Sequence, residues 1–233
     1  VRAAIEEWER VHRGGWPTWV FSNHDAPRAP SRWGGEDRRS YAKLLNALLL
    51  TLRGSVCLYQ GEELGLPQAH VPFERLRDPE ALANWPRTLG RDGARTPLPW
   101  LGDAPHAGFS GVEPWLPVDP RHRARAVAAQ TGVAGSALER TRTFLHWRRG
   151  LPELLTGAMA LHEAPEPVLV IERRLGRRRV VAAINLGRAE LAFDAPAFEG
   201  ATPLAGHGFA GTLDGARVVL PPFGAVFARG RGA

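Results

Sequence analysis

The chain has 233 residues, 44% of them hydrophobic, which is enough for one large domain or two smaller ones with a real core. Its formal charge of +6 comes from 30 basic and 24 acidic side chains, and Lys43 is the only lysine. This arginine bias, with many Ala and Gly, reads as composition rather than a nucleic-acid footprint; no stretch approaches a membrane span, and the single cysteine, Cys57, excludes an internal disulfide.

Along the chain, Ile5, Trp8 and Val11 share a helical stripe over residues 2–12, which Gly14-Gly15 stops. Trp19 to Ser22 is short and mostly apolar, as expected of a parallel strand buried on both faces. Tyr41, Leu44, Leu45, Leu48, Leu49 and Leu52 predict a helix over 38–52, ended by Gly54. Ser55 to Gln60 is a second buried strand, with Cys57 as a buried, inert thiol inside it. Strand, helix and strand at this spacing form a βαβ unit and imply a parallel sheet.

Residues 61–135 are rich in Gly, Pro and Trp with little periodicity, and an excursion of this length in a compact domain is expected to be functional. Ser136 with Glu139 is a capping-box pattern opening a helix that runs to Arg149, closed by Gly150 and Pro152. Beyond Pro152 the runs Val168–Ile171, Val180–Ile184, Val218–Leu220 and Phe223–Phe227 predict an antiparallel β domain. Arg173-Arg174 and Arg177-Arg178-Arg179 are the dense basic cluster of the chain. No aromatics interleave with them, so a solvated hairpin is expected rather than a phosphate-binding surface.

Asn23-His24-Asp25 leaves the end of the first strand candidate, bringing an acid and an imidazole together. Alone the triplet reads as a turn with an Asx cap. Its neighbours Pro27-Arg28 and Ser31-Arg32-Trp33-Gly34 change that reading. The stretch Phe21 to Gly34 resembles the fourth signature region of the α-amylase family of glycoside hydrolases, nearest to the α-glucosidase and oligo-1,6-glucosidase branch.

The resemblance implies that Asp25 is the transition-state stabiliser and that His24 binds the sugar, with Asn23 and Arg28 carried along as substrate-binding residues of the same segment. Gly90-Arg91-Asp92-Gly93-Ala94-Arg95-Thr96-Pro97-Leu98-Pro99-Trp100 resembles a Gly-Arg-Asp-x-x-Arg-Thr-Pro-Met-Pro-Trp segment of the branch, with Leu98 in place of Met. There the second Arg reaches the bound glucose, which makes Arg95 a sugar-binding candidate; the other reading is a loop-bracing ion pair between Arg95 and Asp92. Tyr59 to Gly65 resembles the stretch after the last barrel strand, where Gln60, Glu62 and Glu63 are expected to brace the loop. Asp78-Pro79, Phe109 and Pro114–Pro117 also match the branch.

The resemblance covers nearly the whole chain and implies an α/β plus β fold. Residues 1–151 would hold the last two β/α units of a TIM-type (β/α)8 barrel, with 61–135 as a long active-site loop, and 152–233 a small antiparallel β-sandwich. A retaining glycosidase needs a nucleophile and an acid/base about 5 Å apart, and in the family both lie upstream of the Asn-His-Asp segment. Leu76-Arg77-Asp78 mimics the nucleophile motif but follows the last barrel strand. The chain therefore reads as the carboxyl-terminal portion of a retaining α-glucosidase, inactive alone. It would act within its parent on a small α-glucoside or a malto- or isomalto-oligosaccharide. No cofactor is called for, and any calcium would belong to upstream segments. Neither a nucleic-acid nor a membrane partner is expected, and the setting expected is cytoplasmic and bacterial. The alternatives are a sucrose- or trehalose-forming transglycosylase and a non-catalytic binding protein.

Overall fold

The computed structural model of the chain describes residues 1–12, 14–34, 38–88 and 90–231. Helix α1 (Arg2–Val11) precedes strand β1 (Thr18–Trp19), and helices α2 (Ala29–Trp33) and α3 (Arg38–Thr51) lead to strand β2 (Ser55–Val56). The short helices α4 (Pro79–Asn84), α5 (Pro120–Arg123) and α6 (Val127–Gln130) punctuate the excursion, and α7 (Ala137–Arg149) and α8 (Pro152–Thr156) follow it. Strands β3 (Ala158–His162), β4 (Val168–Leu175), β5 (Arg178–Asn185), β6 (Leu191–Asp194), β7 (Thr202–Pro203), β8 (Thr212–Asp214), β9 (Arg217–Leu220) and β10 (Ala225–Arg231) complete the chain. It divides into two compact units, one of Val1–Trp19, Ala47–Cys57 and Thr143–Ala233, the other of Val20–Asn46 and Leu58–Arg142. The last two residues of the 152–233 segment lie outside the described residues.

In the first unit β1 and β2 pair in parallel, Thr18 opposite Ser55 and Trp19 opposite Val56. Gly54 makes the approach possible. Its φ is +135°, and a Cβ there would lie 2.5 Å from the Pro17 carbonyl oxygen. The strands are shorter and more open than the apolar runs predict: each has two residues, Val20 is 42% exposed, and Cys57 is exposed rather than buried. The reason is local. Each strand has one described neighbour, so its other edge makes no ladder.

The remaining strands form two antiparallel sheets, ordered β3-β4-β5-β10-β7 and β6-β9-β8. The predicted runs all appear, although the last strand begins at Ala225, because Phe223 takes a left-handed φ of +54°. Val168, Val170, Val181, Ala183, Val226 and Ala228 of the larger sheet bury against Val218 and Leu220 of the smaller in one apolar layer. Each large side chain there contributes about 2 kcal/mol by leaving water.

The arginine cluster departs from the solvated hairpin expected of it. The β4–β5 hairpin exists, but Arg173 points inward and is fully buried. Its Nη1 donates to the carbonyls of Thr51 at 2.8 Å, Leu52 at 2.9 Å and Leu154 at 3.1 Å, and its Nη2 donates to Gly157 at 2.8 Å. Alternation along β4 puts Arg173 on one face and its neighbours Glu172 and Arg174 on the other, where they pair at 2.8 Å.

In the second unit α7 starts where Ser136 predicts it. Ser136 Oγ accepts the Glu139 N–H at 3.2 Å, but the Glu139 carboxylate turns to the Gly132 N–H, so the capping box is half formed. Asn46 on α3 donates to the Glu62 carbonyl and to Thr141 on α7, both at 3.0 Å. Leu64, Leu66 and Leu138 form one small apolar cluster, and Val71, Leu76, Ala81 and Leu116 another. No described helix is long and apolar enough to cross a membrane.

Candidate active site

The Asn23–Asp25 turn builds itself. Asn23 Oδ1 accepts the Asp25 N–H at 2.8 Å, the Asx turn that the triplet predicts, and Asn23 also bridges to Ala26. The turn is seated from behind by Ser22, whose Oγ accepts the Ala29 N–H at 2.9 Å, and by Arg32, which donates to the Phe21 carbonyl. Asp25 is thereby presented with 54% of its side chain exposed.

Three cationic or potentially cationic groups meet its carboxylate. His24 Nε2 lies 3.1 Å from Oδ2. Arg95 Nη2 donates to Oδ1 at 2.9 Å, and Arg91 Nη1 reaches the same oxygen at 3.4 Å. The Arg95 Nε also donates to the His24 carbonyl at 2.8 Å. Asp25, His24, Arg95 and Asn23 are therefore brought together. Asp92 does not take Arg95: its Oδ2 accepts the N–H groups of Arg77 at 2.6 Å and Asp78 at 2.9 Å.

Arg28 is not brought with them. It is fully buried, its guanidinium donating to the carbonyls of Gln60 at 2.6 Å and Ala94 at 3.1 Å and lying 5.4 Å from the Tyr59 ring centre. Burial, the largest influence, lowers its pKa. The substrate-binding expectation for Arg28 gives way to a bracing role, because the guanidinium is buried and both its Nη groups donate to backbone inside the loop. The neighbouring glycine enforces this: at Gly61, φ +87°, a Cβ would stand 2.9 Å from Arg28 Nη1.

Glu62 and Glu63 brace the loop. Glu62 Oε2 accepts the Tyr59 N–H at 2.9 Å, Glu63 Oε2 the Gly61 N–H at 2.8 Å, and burial raises the Glu62 pKa.

Two residues gain a place that the sequence did not assign them. Asp78 has no exposed side-chain surface and holds Arg91 by a fork, Nη2 to Oδ1 at 2.6 Å and Nε to Oδ2 at 2.9 Å. The hydrogen bonds from Arg91 hold the Asp78 carboxyl well below the usual carboxylate range, against the opposing effect of burial. Asp78 also caps α4 through the Glu80 N–H. The chain of contacts Asp78–Arg91–Asp25 ties a buried anchor to the exposed acid, its Arg91–Asp25 link spanning 66 residues of sequence. The Gly-Arg-Asp wording around Arg91 and the Asp-Pro helix start at Asp78 were the visible signals, but neither says that the two meet.

Asp25 opens onto a cavity of about 880 Å³ that Pro27, Ser31, Arg32, Gln68 and Arg91 help to line. A carboxylate held between two guanidiniums, with half its side chain open to such a cavity, can offer fixed negative charge to a neighbouring cation without reorganising. No group of three or more His, Cys, Asp or Glu side chains among the described residues could hold a metal ion.

Residues 1–157 match the family described as alpha amylase, catalytic domain. The chain is 41% identical over 231 residues to a probable alpha-glucosidase of Rhizobium meliloti (strain 1021), covering 98% of this chain and 42% of that protein. It is 29% identical over 208 residues to a probable oligo-1,6-glucosidase 2 of Bacillus subtilis (strain 168), covering 79% and 36%. The crystal structure of an alpha-glucosyl transfer enzyme superposes with a TM-score of 0.93 at 42% identity, covering 99% of this chain and 43% of that one. The chain thus spans less than half the length of these relatives, while the Rhizobium meliloti protein and the transfer enzyme match it almost from end to end. On that match the chain belongs to the α-amylase family.

Proposed function

We propose that this chain supplies part of the active site of a retaining α-glucosidase that removes terminal α-linked glucose from small oligosaccharides. Residues 1–151 would be the last two β/α units of a TIM-type barrel, with 61–135 its long active-site loop, and 152–233 an antiparallel β-sandwich. The observation that carries the reading is the Asp25 carboxylate, fixed between Arg95 and Arg91 and open to the cavity.

Hydrolysis passes through an oxocarbenium-like state whose positive charge develops at the ring carbon and oxygen. Asp25 stabilises that charge more than the neutral ground state, and only such differential binding accelerates the step. His24 and Arg95 hold sugar hydroxyls, and Asn23 sets the turn that presents them. The nucleophile and acid/base come from the remainder of the length seen in the relatives, so the chain alone is inactive. A cytoplasmic setting belongs to this reading and rests on the lone cysteine.

The test is a hybrid in which this chain replaces its matched region in the Rhizobium meliloti relative. The hybrid should release nitrophenol from p-nitrophenyl α-glucoside, the chain alone should not, and Asp25→Asn in the hybrid should lower kcat at least about a hundredfold. Turnover by the chain alone, or an Asp25→Asn hybrid as fast as its parent, would overturn the reading.

A second reading is α-glucosyl transfer, favoured by the 42% identity to a structure named an alpha-glucosyl transfer enzyme. Free glucose as the main product of the hybrid acting on maltose supports hydrolysis; a longer or rearranged oligosaccharide supports transfer.

A further inference from the structure

We propose that the cavity between the start of α3 and the start of α7 binds the phosphate group of a small metabolite. It has a volume of about 300 Å³, and Arg39, Lys43, Gly65, Arg125, Ser136 and Ala137 are among its lining. Three of these side chains are cations, and no carboxylate of a described residue lines the cavity. The nearby acid Glu139 is engaged with Arg142 at 2.7 Å and with the Gly132 N–H at 3.0 Å.

Two of the cations are held in place by backbone carbonyls. Lys43 Nζ donates to the Gly135 carbonyl at 3.1 Å, and Arg125 Nη1 donates to the Gly65 carbonyl. Burial lowers the Lys43 pKa first, and repulsion from Arg140 and Arg39 adds to it, so Lys43 shares its surroundings with like charge. Crowded like charge of this kind is relieved by a multiply charged anion. The first turn of α7, a helix of 13 residues, adds the positive end of its dipole at Ala137.

Charge and size together select the ligand. A guanidinium fork beside an ammonium suits phosphate oxygens. The volume falls at the lower end of the range of small-molecule pockets, so it admits a phosphate monoester as well as the bare ion. The contrast with the Asp25 cavity is direct, since there Arg91 already faces two carboxylates.

The test is isothermal titration of the full chain, at constant ionic strength, with inorganic phosphate, with a hexose 6-phosphate and with the free hexose. One saturable site is expected for each phosphate compound and none for the hexose. Tighter binding of the ester would name an ester as the source, and equal binding would name free phosphate; either supports the site. The Arg39→Gln, Lys43→Gln double variant should bind at least about tenfold more weakly. Lys43→Arg, which keeps the charge should the double variant fail to fold, should stay within about threefold of the parent. Arg177→Gln, which removes one exposed positive charge on the β4–β5 hairpin, should have no effect. Absence of saturation with both phosphates, or binding by a folded double variant equal to the parent's, would overturn the proposal.

Discussion

Arg95 and Asp25 meet with Nη2 and Oδ1 2.9 Å apart, while the Nε beside it on the same guanidinium edge donates to the His24 carbonyl at 2.8 Å. One side chain therefore fixes both the acid and the backbone of the turn that carries it. Lysine could reach either point but not both, because a point charge has no fork. In the hybrid enzyme, Arg95→Lys should raise KM about tenfold, equivalent to about 1.4 kcal/mol of lost binding, with a smaller change in kcat. Steady-state kinetics on p-nitrophenyl α-glucoside checks this, and an unchanged KM would remove Arg95 from the sugar site.

Asp78 is the buried end of the contact chain that reaches Asp25 through Arg91. Replacing it with Asn leaves the Arg91 fork without its anion and weakens the cap of α4. A loss of stability in urea unfolding of the full chain is expected, of which the weakened cap accounts for about 1 kcal/mol. A double-mutant cycle with Arg91→Gln should return most of that as coupling. The acid limb has a definite sign. The folded carboxyl titrates below its ordinary value of 3.8, so the stability it adds is present above that pH and is lost as the pH falls further. In Asp78→Asn this acid-side loss should shrink.

Arg173 offers the stability counterpart. Its guanidinium satisfies four carbonyl groups in a fully buried setting, and burial pushes its pKa down to about 10. Arg173→Met removes the donors and leaves buried acceptors unpaired, so a loss of about 3–5 kcal/mol is expected. Arg174→Gln, one residue along but partly exposed, should cost about 1 kcal/mol or less. Equal urea midpoints for the two variants would contradict the inward orientation of Arg173.

The contrast between these neighbours marks what could be read from sequence. Periodicity was sufficient for α3, because six apolar residues fall on one stripe, and for β4, β5 and β9, because β-branched runs are local signals. The Asx turn at Asn23 was equally local. Which arginine of a cluster turns inward depends on strand register, and register depends on partners far away in sequence. The same is true of Arg91: its contact with Asp25 needs the whole loop from 26 to 90 to close. The openness of Cys57 was hidden for a related reason, since an apolar run does not reveal how many neighbours its strand will have.

His122 provides a pH test inside the same loop system. Its Nε2 lies 2.8 Å from the Pro67 carbonyl, an acceptor only, so Nε2 carries the hydrogen and Nδ1 is bare. Nδ1 is buried with no partner among the described residues, and protonating it would strand an N–H. Burial is the main reason its pKa falls from 6.5 to about 4; Arg28 and Arg121 push the same way, while the Pro67 carbonyl and Asp119 oppose them. Below pH 6.5 the unfolded chain takes up a proton that the folded chain refuses, so stability falls as the pH drops from 6.5 to about 4 and levels off beneath. The full effect is on the order of 3 kcal/mol. His122→Gln keeps a donor for Pro67 and abolishes the titration, so its urea midpoint should be flatter than the parent's between about pH 7 and pH 4.5. Parallel curves for the two proteins would mean that His122 is protonated in the folded state.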